Sequence, residues 1–485
     1  MTAARPAFSA STPPRGGLWA GYWDLPEPLL AFDPVDPRQR AVNPLAGLAQ
    51  FGPYSASSYK NGPHPSVRVA LLAPDEDLPA LRSLLRELWY PQQPRERPEY
   101  LPPYPGWRQA FGCGIEPAAD RAQIPLPQDL DTRVRDAASP ARTLAAALSD
   151  GLRALTLVRD SFDLIVFYLP PRFAPCFTDG PFDLHDAVKA TGAELGLATQ
   201  IITDEALRYR CRASVAWRLA TALYAKAGWV PWKLQTHSGP LDPRAAYIGL
   251  SYALRPAADG STSFVTCCSQ VFDADGGGMH FIAYDIGQGN DLHNPYLSRE
   301  QMRLVMARSL ALYQDRHAGA APRRLVVHKQ TPFTPGEVAG CFDAWGATSE
   351  LACVTLERPN WRGVQLTGKG KPGYAVDRGT VLPLDGHAAL VWIAGNAPAA
   401  TLTGRANFLQ GKKGTPRPVL MTRHAGHGPL TDLAEQILAL SKMNWNNDAL
   451  YDSLPCTIRY AQTLAKTLKH MPGLLPIPYD YRLFM

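Results

Sequence analysis

The chain has 485 residues, 46% apolar and 19% charged, which suits a globular protein of roughly two to four domains whose core needs no disulfide or metal staple. Its net charge of +6 is too small to mark a histone-like polycation. No run of about 18 apolar residues occurs and the N-terminus carries no apolar signal core, so the sequence excludes a membrane span and predicts a cytoplasmic protein.

Eight cysteines are scattered without a CxxC pair, which excludes a zinc ribbon and predicts reduced thiols. Nineteen of the 46 prolines fall in the first 110 positions, so this part is expected to be irregular and extended. The expected domains are a Pro-rich N-terminal segment (1–65), a first α/β domain (66–238) and a second (239–485). In the N-terminal segment Trp19, Tyr22 and Trp23 suit either a partner-docking arm or a disordered leader.

From residue 66 the pattern changes. Val67, Val69, Leu71 and Leu72 predict a strand, and 78–89 an amphipathic helix. Helices follow at 143–158, 183–195 and 209–226, with strands at 164–169 and 199–202. This alternation predicts a parallel α/β sheet. After Gly239-Pro240, strands are expected at 246–254, 263–272, 280–285, 324–328, 351–356 and 389–393. Helices are expected at 298–314, 431–441 and 458–468. Antiparallel strands followed by strand–helix–strand resemble an RNase H-like sheet.

His185 and Lys189 stand i,i+4 near a helix start, where both can face one anion with the favourable dipole end. Gln200 and Lys226 come from the next strand and helix, so four donors could converge on a terminal phosphate. A His and a Lys at this spacing equally suit a solvated face. The segment ALYAKAGWVPWKL (222–234) resembles the end of the MID domain of Argonaute proteins. The resemblance implies that His185, Lys189, Gln200 and Lys226 hold the 5′ phosphate of a guide strand. It also implies that the carboxylate of Met485 joins them through a Mg²⁺ ion.

The resemblance continues into a PIWI domain. YIGLSYAL (247–254) carries Ser251 where active members have aspartate. LVVHKQT (325–331) carries Gln330 in place of a second aspartate. LPCTIRYAQTL (454–464) carries Gln462 in place of an aspartate or histidine. A fourth acid is not placed; Asp285 and Asp291 are nearest in spacing. Two-metal hydrolysis needs several carboxylates to hold two cations about 4 Å apart, and neutral serine and glutamine cannot offset that charge. The expected catalytic set is therefore none, and the chain itself is expected not to be an enzyme. Asp273 and Asp275 in FDADGGG suit a hairpin turn; a guided nuclease with a site rearranged around Asp273, Asp275 or Asp285 is the alternative.

Lys412, Lys413, Arg417 and Arg423 flank GTPRP, which is similar to a PIWI segment beside the guide, and Arg459 precedes Tyr460. They are candidate contacts to a nucleic-acid backbone. Residues 201–240 hold six Lys/Arg against two acids, and 401–485 ten against five, so the weak overall charge hides two basic segments.

The fold expected is thus α/β, a Rossmann-like MID domain plus an RNase H-like PIWI domain. The resemblance to a short prokaryotic Argonaute implies a defence protein that binds a small guide RNA and recognises complementary invader DNA. It implies a separate effector chain, with an analogue of the missing half fused to a sirtuin-like or TIR domain that depletes NAD⁺, or to a nuclease. A stand-alone binding protein is the other alternative.

Overall fold

The computed structural model describes residues 21–59, 62, 65–180, 182–236, 242–256, 262–273, 278–285, 296–366, 372–403, 415–447, 449–468 and 478–485; for 253–256, 262–271, 278–285, 364–366, 372–375, 468 and 478 it describes the backbone alone. The expected turn at Asp259-Gly260 lies outside them. No helix among the described residues is long and apolar enough to cross a membrane. The six described cysteines are free and buried.

The N-terminal segment holds three short strands, β1 (Trp23–Asp24), β2 (Leu30–Ala31) and β3 (Arg40–Ala41). The first domain is built on β4 (Ser66–Ala73), β5 (Gly114–Pro117), β6 (Gln123–Pro125), β7 (Leu164–Leu169) and β8 (Thr199–Thr203). All their pairings are parallel, in the order β8-β7-β4-β5 with β6 also on β4. β7 is buried at every position, as a parallel strand covered on both faces must be. The covering helices are α1 (Leu78–Glu87), α2 (Pro140–Thr156), α3 (Leu184–Glu194) and α4 (Arg212–Lys226). α1 buries Leu78, Leu81, Leu84 and Leu85, the spacing of one helical face.

The joint between domains is β9 (Lys233–Leu234), which pairs with β2. The second domain follows as β10 (Ala245–Pro256), β11 (Thr262–Asp273), β12 (Gly278–Asp285), α5 (Arg299–Arg316), β13 (Arg324–Lys329), α6 (Pro335–Trp345) and β14 (Glu350–Glu357). It closes with β15 (Thr380–Pro383), β16 (Ala388–Val391), β17 (Val419–Ala425), α7 (Leu430–Leu440), α8 (Cys456–Leu468) and β18 (Pro478–Tyr479). One ten-stranded sheet runs β1-β15-β16-β17-β14-β13-β10-β11-β12-β18. Its centre, β10-β13-β14, is parallel and the rest antiparallel. α5 and α6 each start with a complete capping box, Ser298/Gln301 and Thr334/Glu337, which satisfies orphan N–H groups at both ends of the motif.

The N-terminal segment departs from expectation. From residue 21 it is not a loose leader but is packed against the rest of the chain. β1 forms an edge of the large sheet on β15, and Trp23 packs against the core. Glu27 lies between Arg378 and Lys442, each nitrogen 2.9 Å from its Oε1. Lys442 also donates to the carbonyls of Pro28 (2.8 Å) and Val42 (2.7 Å). Burial works to raise the Glu27 carboxyl, but the charges of Arg378 and Lys442 override it and hold it at about 2. Trp19 lies outside the described residues.

Candidate nucleic-acid interface

α3 starts because the Asp183 side chain accepts from the Asp186 N–H (3.0 Å). One turn and a half later Lys189 points inward, only 2% exposed. Its Nζ donates to the Thr199 carbonyl at 2.7 Å and to the main-chain oxygen of Met485. Lys226, in the last turn of α4 and 3% exposed, donates to Gln200 Oε1. The Gln200 amide in turn donates to the Ile201 carbonyl at 3.0 Å. Lys189, Gln200, Lys226 and Met485 are thus brought together from α3, β8, α4 and the last residue of the sequence. His185 is not: it is exposed, with Nδ1 3.3 Å from Asp186 Oδ1, at the solvent end of the same helix face.

The electrostatics of this pocket are unbalanced. Burial pushes the Lys189 ammonium down to about 8. Lys226 is pushed well below the usual lysine range by burial and then by the charge of Lys189. Two buried ammonium groups share the Thr199 carbonyl, the Gln200 amide and the Met485 terminal oxygen, and a second buried charge without a counter-charge of its own is costly. Such a donor set fits an anion. Asp183, His185 and Asp186 form the one group among the described residues with metal-ligand spacing, and they sit on the outer turn of α3.

The second constellation also assembles. β10 and β13 pair in parallel up to Gly249↔His328, and Ser251 and Gln330 each lie two residues past that last paired position. Gln462 Nε2, from α8, donates to Gln330 Oε1 at 2.5 Å. α8 reaches β10 this closely because Gly249 has no side chain: a Cβ there would lie 2.0 Å from the Thr457 carbonyl oxygen. His328 is fully buried, with Nδ1 2.9 Å from Thr457 Oγ1. Burial lowers it to about 3, so it is neutral. None of Ser251, Gln330 and Gln462 is a carboxylate. The nearby acid, Glu337, is committed to Lys329 at 2.6 Å, to the Tyr252 hydroxyl at 2.9 Å and to the Thr334 amide at 2.9 Å.

Asp273 is engaged by His317 Nε2 at 3.0 Å. Asp275, Asp291 and the side chain of Asp285 lie outside the described residues, as do Lys412 and Lys413. Of the other basic candidates, Arg417 is exposed and Arg459 sits 3.8 Å from Asp452. Arg423 donates to the carbonyls of Gly386 (2.9 Å) and Gly428, so its guanidinium ties two loops together. The Thr199 carbonyl, a partner of Lys189, left no signal in the sequence because every residue has one.

α8 packs against both α3 and the strands β10 and β11, so one helix joins the lysine pocket to the Ser251–Gln330–Gln462 cleft.

No family model matches the chain. An Argonaute protein of Aquifex aeolicus (strain VF5) is 22% identical over 321 residues, 65% of this chain and 40% of that protein. Among solved structures, Clostridium butyricum Argonaute bound to a guide DNA with a 5′ deoxycytidine and a 19-mer target DNA superposes with a TM-score of 0.64 at 15% identity. That match covers 96% of this chain and 54% of the other. The A. aeolicus Argonaute crystal structure gives a TM-score of 0.57 at 16% identity, covering 95% of this chain and 54% of that one. The chain therefore spans about half the length of the solved Argonautes it matches. In fold it is an Argonaute-like MID–PIWI protein.

Proposed function

We propose that the chain holds a small guide strand by its 5′ phosphate and captures a complementary nucleic acid without cutting it. The observation that carries this reading is the convergence of buried Lys189 and Lys226 on Gln200 and the Met485 oxygen, a positive site with no acidic side chain in it. A terminal phosphate supplies the charge this pocket lacks. Its fold neighbour from C. butyricum was solved with a guide DNA and a target DNA, which supports the same ligand class here.

In this reading the pocket fixes the 5′ end, base pairing supplies sequence specificity, and the cleft beside α8 holds the duplex by its backbone. The three neutral side chains at Ser251, Gln330 and Gln462 leave the cleft without the charge to hold two divalent metals. Duplex formation then shifts a conformational equilibrium that switches on a separate effector chain in a cytoplasmic defence complex. The RNA nature of the guide, the DNA nature of the target and the NAD-depleting effector rest on the resemblance to short Argonautes.

The test is guide affinity by fluorescence anisotropy, comparing 5′-phosphorylated with 5′-hydroxyl RNA. The reading expects a strong preference for the phosphate in the wild type that is lost in Lys189→Met/Lys226→Met. Equal affinities in the wild type would sink it.

A further inference from the structure

Lys189 and Lys226 grip consecutive residues of β8. Lys189 Nζ donates to the Thr199 carbonyl at 2.7 Å and to the Met485 oxygen, and Lys226 Nζ donates to Gln200 Oε1. The two nitrogens also meet each other, and the third N–H of Lys189 points at the Lys226 nitrogen. An ammonium group has three donors and no acceptor, so with both lysines charged this contact is a repulsion. When Lys226 gives up its proton, the contact becomes a hydrogen bond. Its lone pair then accepts from Lys189 while one of its N–H groups stays on Gln200.

The surroundings decide which of the two becomes the amine. Lys189 has the Met485 oxygen beside it and the charge of Asp186 in its favour. Lys226 has neither: burial first, then the positive charges of Lys189 and Arg218, oppose a charge of its own. The choice of residue agrees. The chain uses 37 arginines and 12 lysines, and a guanidinium would grip an anion without ever losing a proton. Two lysines give this pocket an amine that two arginines would not. A desolvated lysine next to a second cation is the environment that makes lysine a nucleophile near neutral pH.

We infer that Lys226 is a modification site, forming an imine with small phosphorylated aldehydes whose phosphate takes the place of the guide's. The phosphate half rests on the guide-pocket reading; the carbonyl chemistry rests on the lysine pair alone. The Lys226 lone pair attacks the aldehyde carbon, and the C=O π electrons pass to oxygen. The two protons of the Lys226 amine end on that oxygen, relayed through Lys189, and it leaves as water while the C=N bond forms. No oxidant or reductant takes part. The adduct excludes the 5′ end of a guide until water hydrolyses the imine, so the pocket reads a second class of phosphate besides a strand end.

Full-length, nucleic-acid-free chain is treated at neutral pH with limiting pyridoxal 5′-phosphate, reduced with cyanoborohydride and digested. Mass spectrometry then compares the adducts on Lys226 and on the exposed Lys466. The amine fraction rises about tenfold for each pH unit by which a lysine loses its proton earlier, so the yield on Lys226 should exceed that on Lys466 by about tenfold or more. Pyridoxal, which lacks the phosphate, should show no such preference. Prior addition of 5′-phosphorylated RNA should protect Lys226 better than 5′-hydroxyl RNA. In Lys189→Met, checked for folding by its melting temperature, the Lys226 yield should fall to that of Lys466; a yield that persists there refutes the pairing argument. Equal yields on Lys226 and Lys466 in the wild type overturn the inference and leave the guide reading standing, as do equal yields from pyridoxal and its phosphate. If Lys226 is labelled preferentially but the two RNAs protect it equally, the guide reading falls and the modification site survives.

Discussion

Lys226→Met removes one buried ammonium group and keeps the length of its stem. Two opposite effects should follow. The folded chain should gain stability, because Lys226 is 3% exposed and its charge is opposed by burial and by Lys189. Replacing buried charge with a well-packed apolar side chain is often stabilising by about 1–4 kcal/mol. Lys189 gives an independent scale: the gap between an ordinary 10.5 and about 8 corresponds to about 3 kcal/mol for holding that one charge inside. The variant should meanwhile lose one charge-assisted hydrogen bond to a bound phosphate, worth about 1.5–3 kcal/mol, so the preference for 5′-phosphorylated guide should drop about ten- to a hundredfold. Thermal melting of the nucleic-acid-free chain and anisotropy with paired 5′-phosphate and 5′-hydroxyl RNAs measure both. A variant that melts lower than wild type and keeps its phosphate preference refutes the argument that this lysine is held in an unfavourable site for the sake of an anion.

The same pocket predicts a pH dependence. Lys189 is protonated below about pH 8, so its own contribution to guide affinity should be constant there and be lost as pH rises further, with proton uptake on binding above about pH 8 seen by calorimetry in two buffers. In the free protein the sign is opposite. The folded lysine titrates below the unfolded one, so its destabilising effect is complete below about 8 and fades toward 10.5, and stability should rise across that window. Glu27→Ala should destabilise the chain by about 3–5 kcal/mol in urea unfolding, since it strands Arg378 and Lys442 as unpaired buried charges. Because Glu27 is held at about 2, its contribution should be intact above about pH 4.5 and decline as pH falls toward 2. Finally, guide-loaded chain incubated with complementary DNA and Mn²⁺ should leave the DNA intact; site-specific cleavage lost on Asp273→Ala would show a rearranged nuclease site instead.

Much of this architecture is legible in the sequence. The fully apolar run Leu164–Leu169 and the three-four spacing of Leu78, Leu81 and Leu85 reflect local burial patterns that need no tertiary knowledge. Lys189 and Lys226 were reachable through a motif, and Ser251, Gln330 and Gln462 through three others, because short chemical signatures survive when identity is low. The spacing of His185 and Lys189 sets a shared helix face but not how deep each turn is buried, so the exposure of His185 could not be read from it. The two loop carbonyls that Arg423 donates to left no signal either. Glu27 gave no signal, because its partners lie some 350 and 415 positions away. The Pro-rich composition around it reads as irregular, and irregular backbone can still be fully packed.

That separation has a consequence during synthesis. Glu27 and β1 leave the ribosome long before their partners, since β1 pairs with residues near 380 and Glu27 closes only when Lys442 arrives. At about 5–20 residues per second, Glu27 waits roughly twenty to eighty seconds for Lys442, and Trp23 waits for its strand partner near 381. The first α/β domain can settle in that interval, but its N-terminal flank cannot. Completion of the fold is therefore tied to the last quarter of translation, so premature termination there should release a chain with a folded first α/β domain, a guide pocket lacking Met485 and an open, aggregation-prone strand edge.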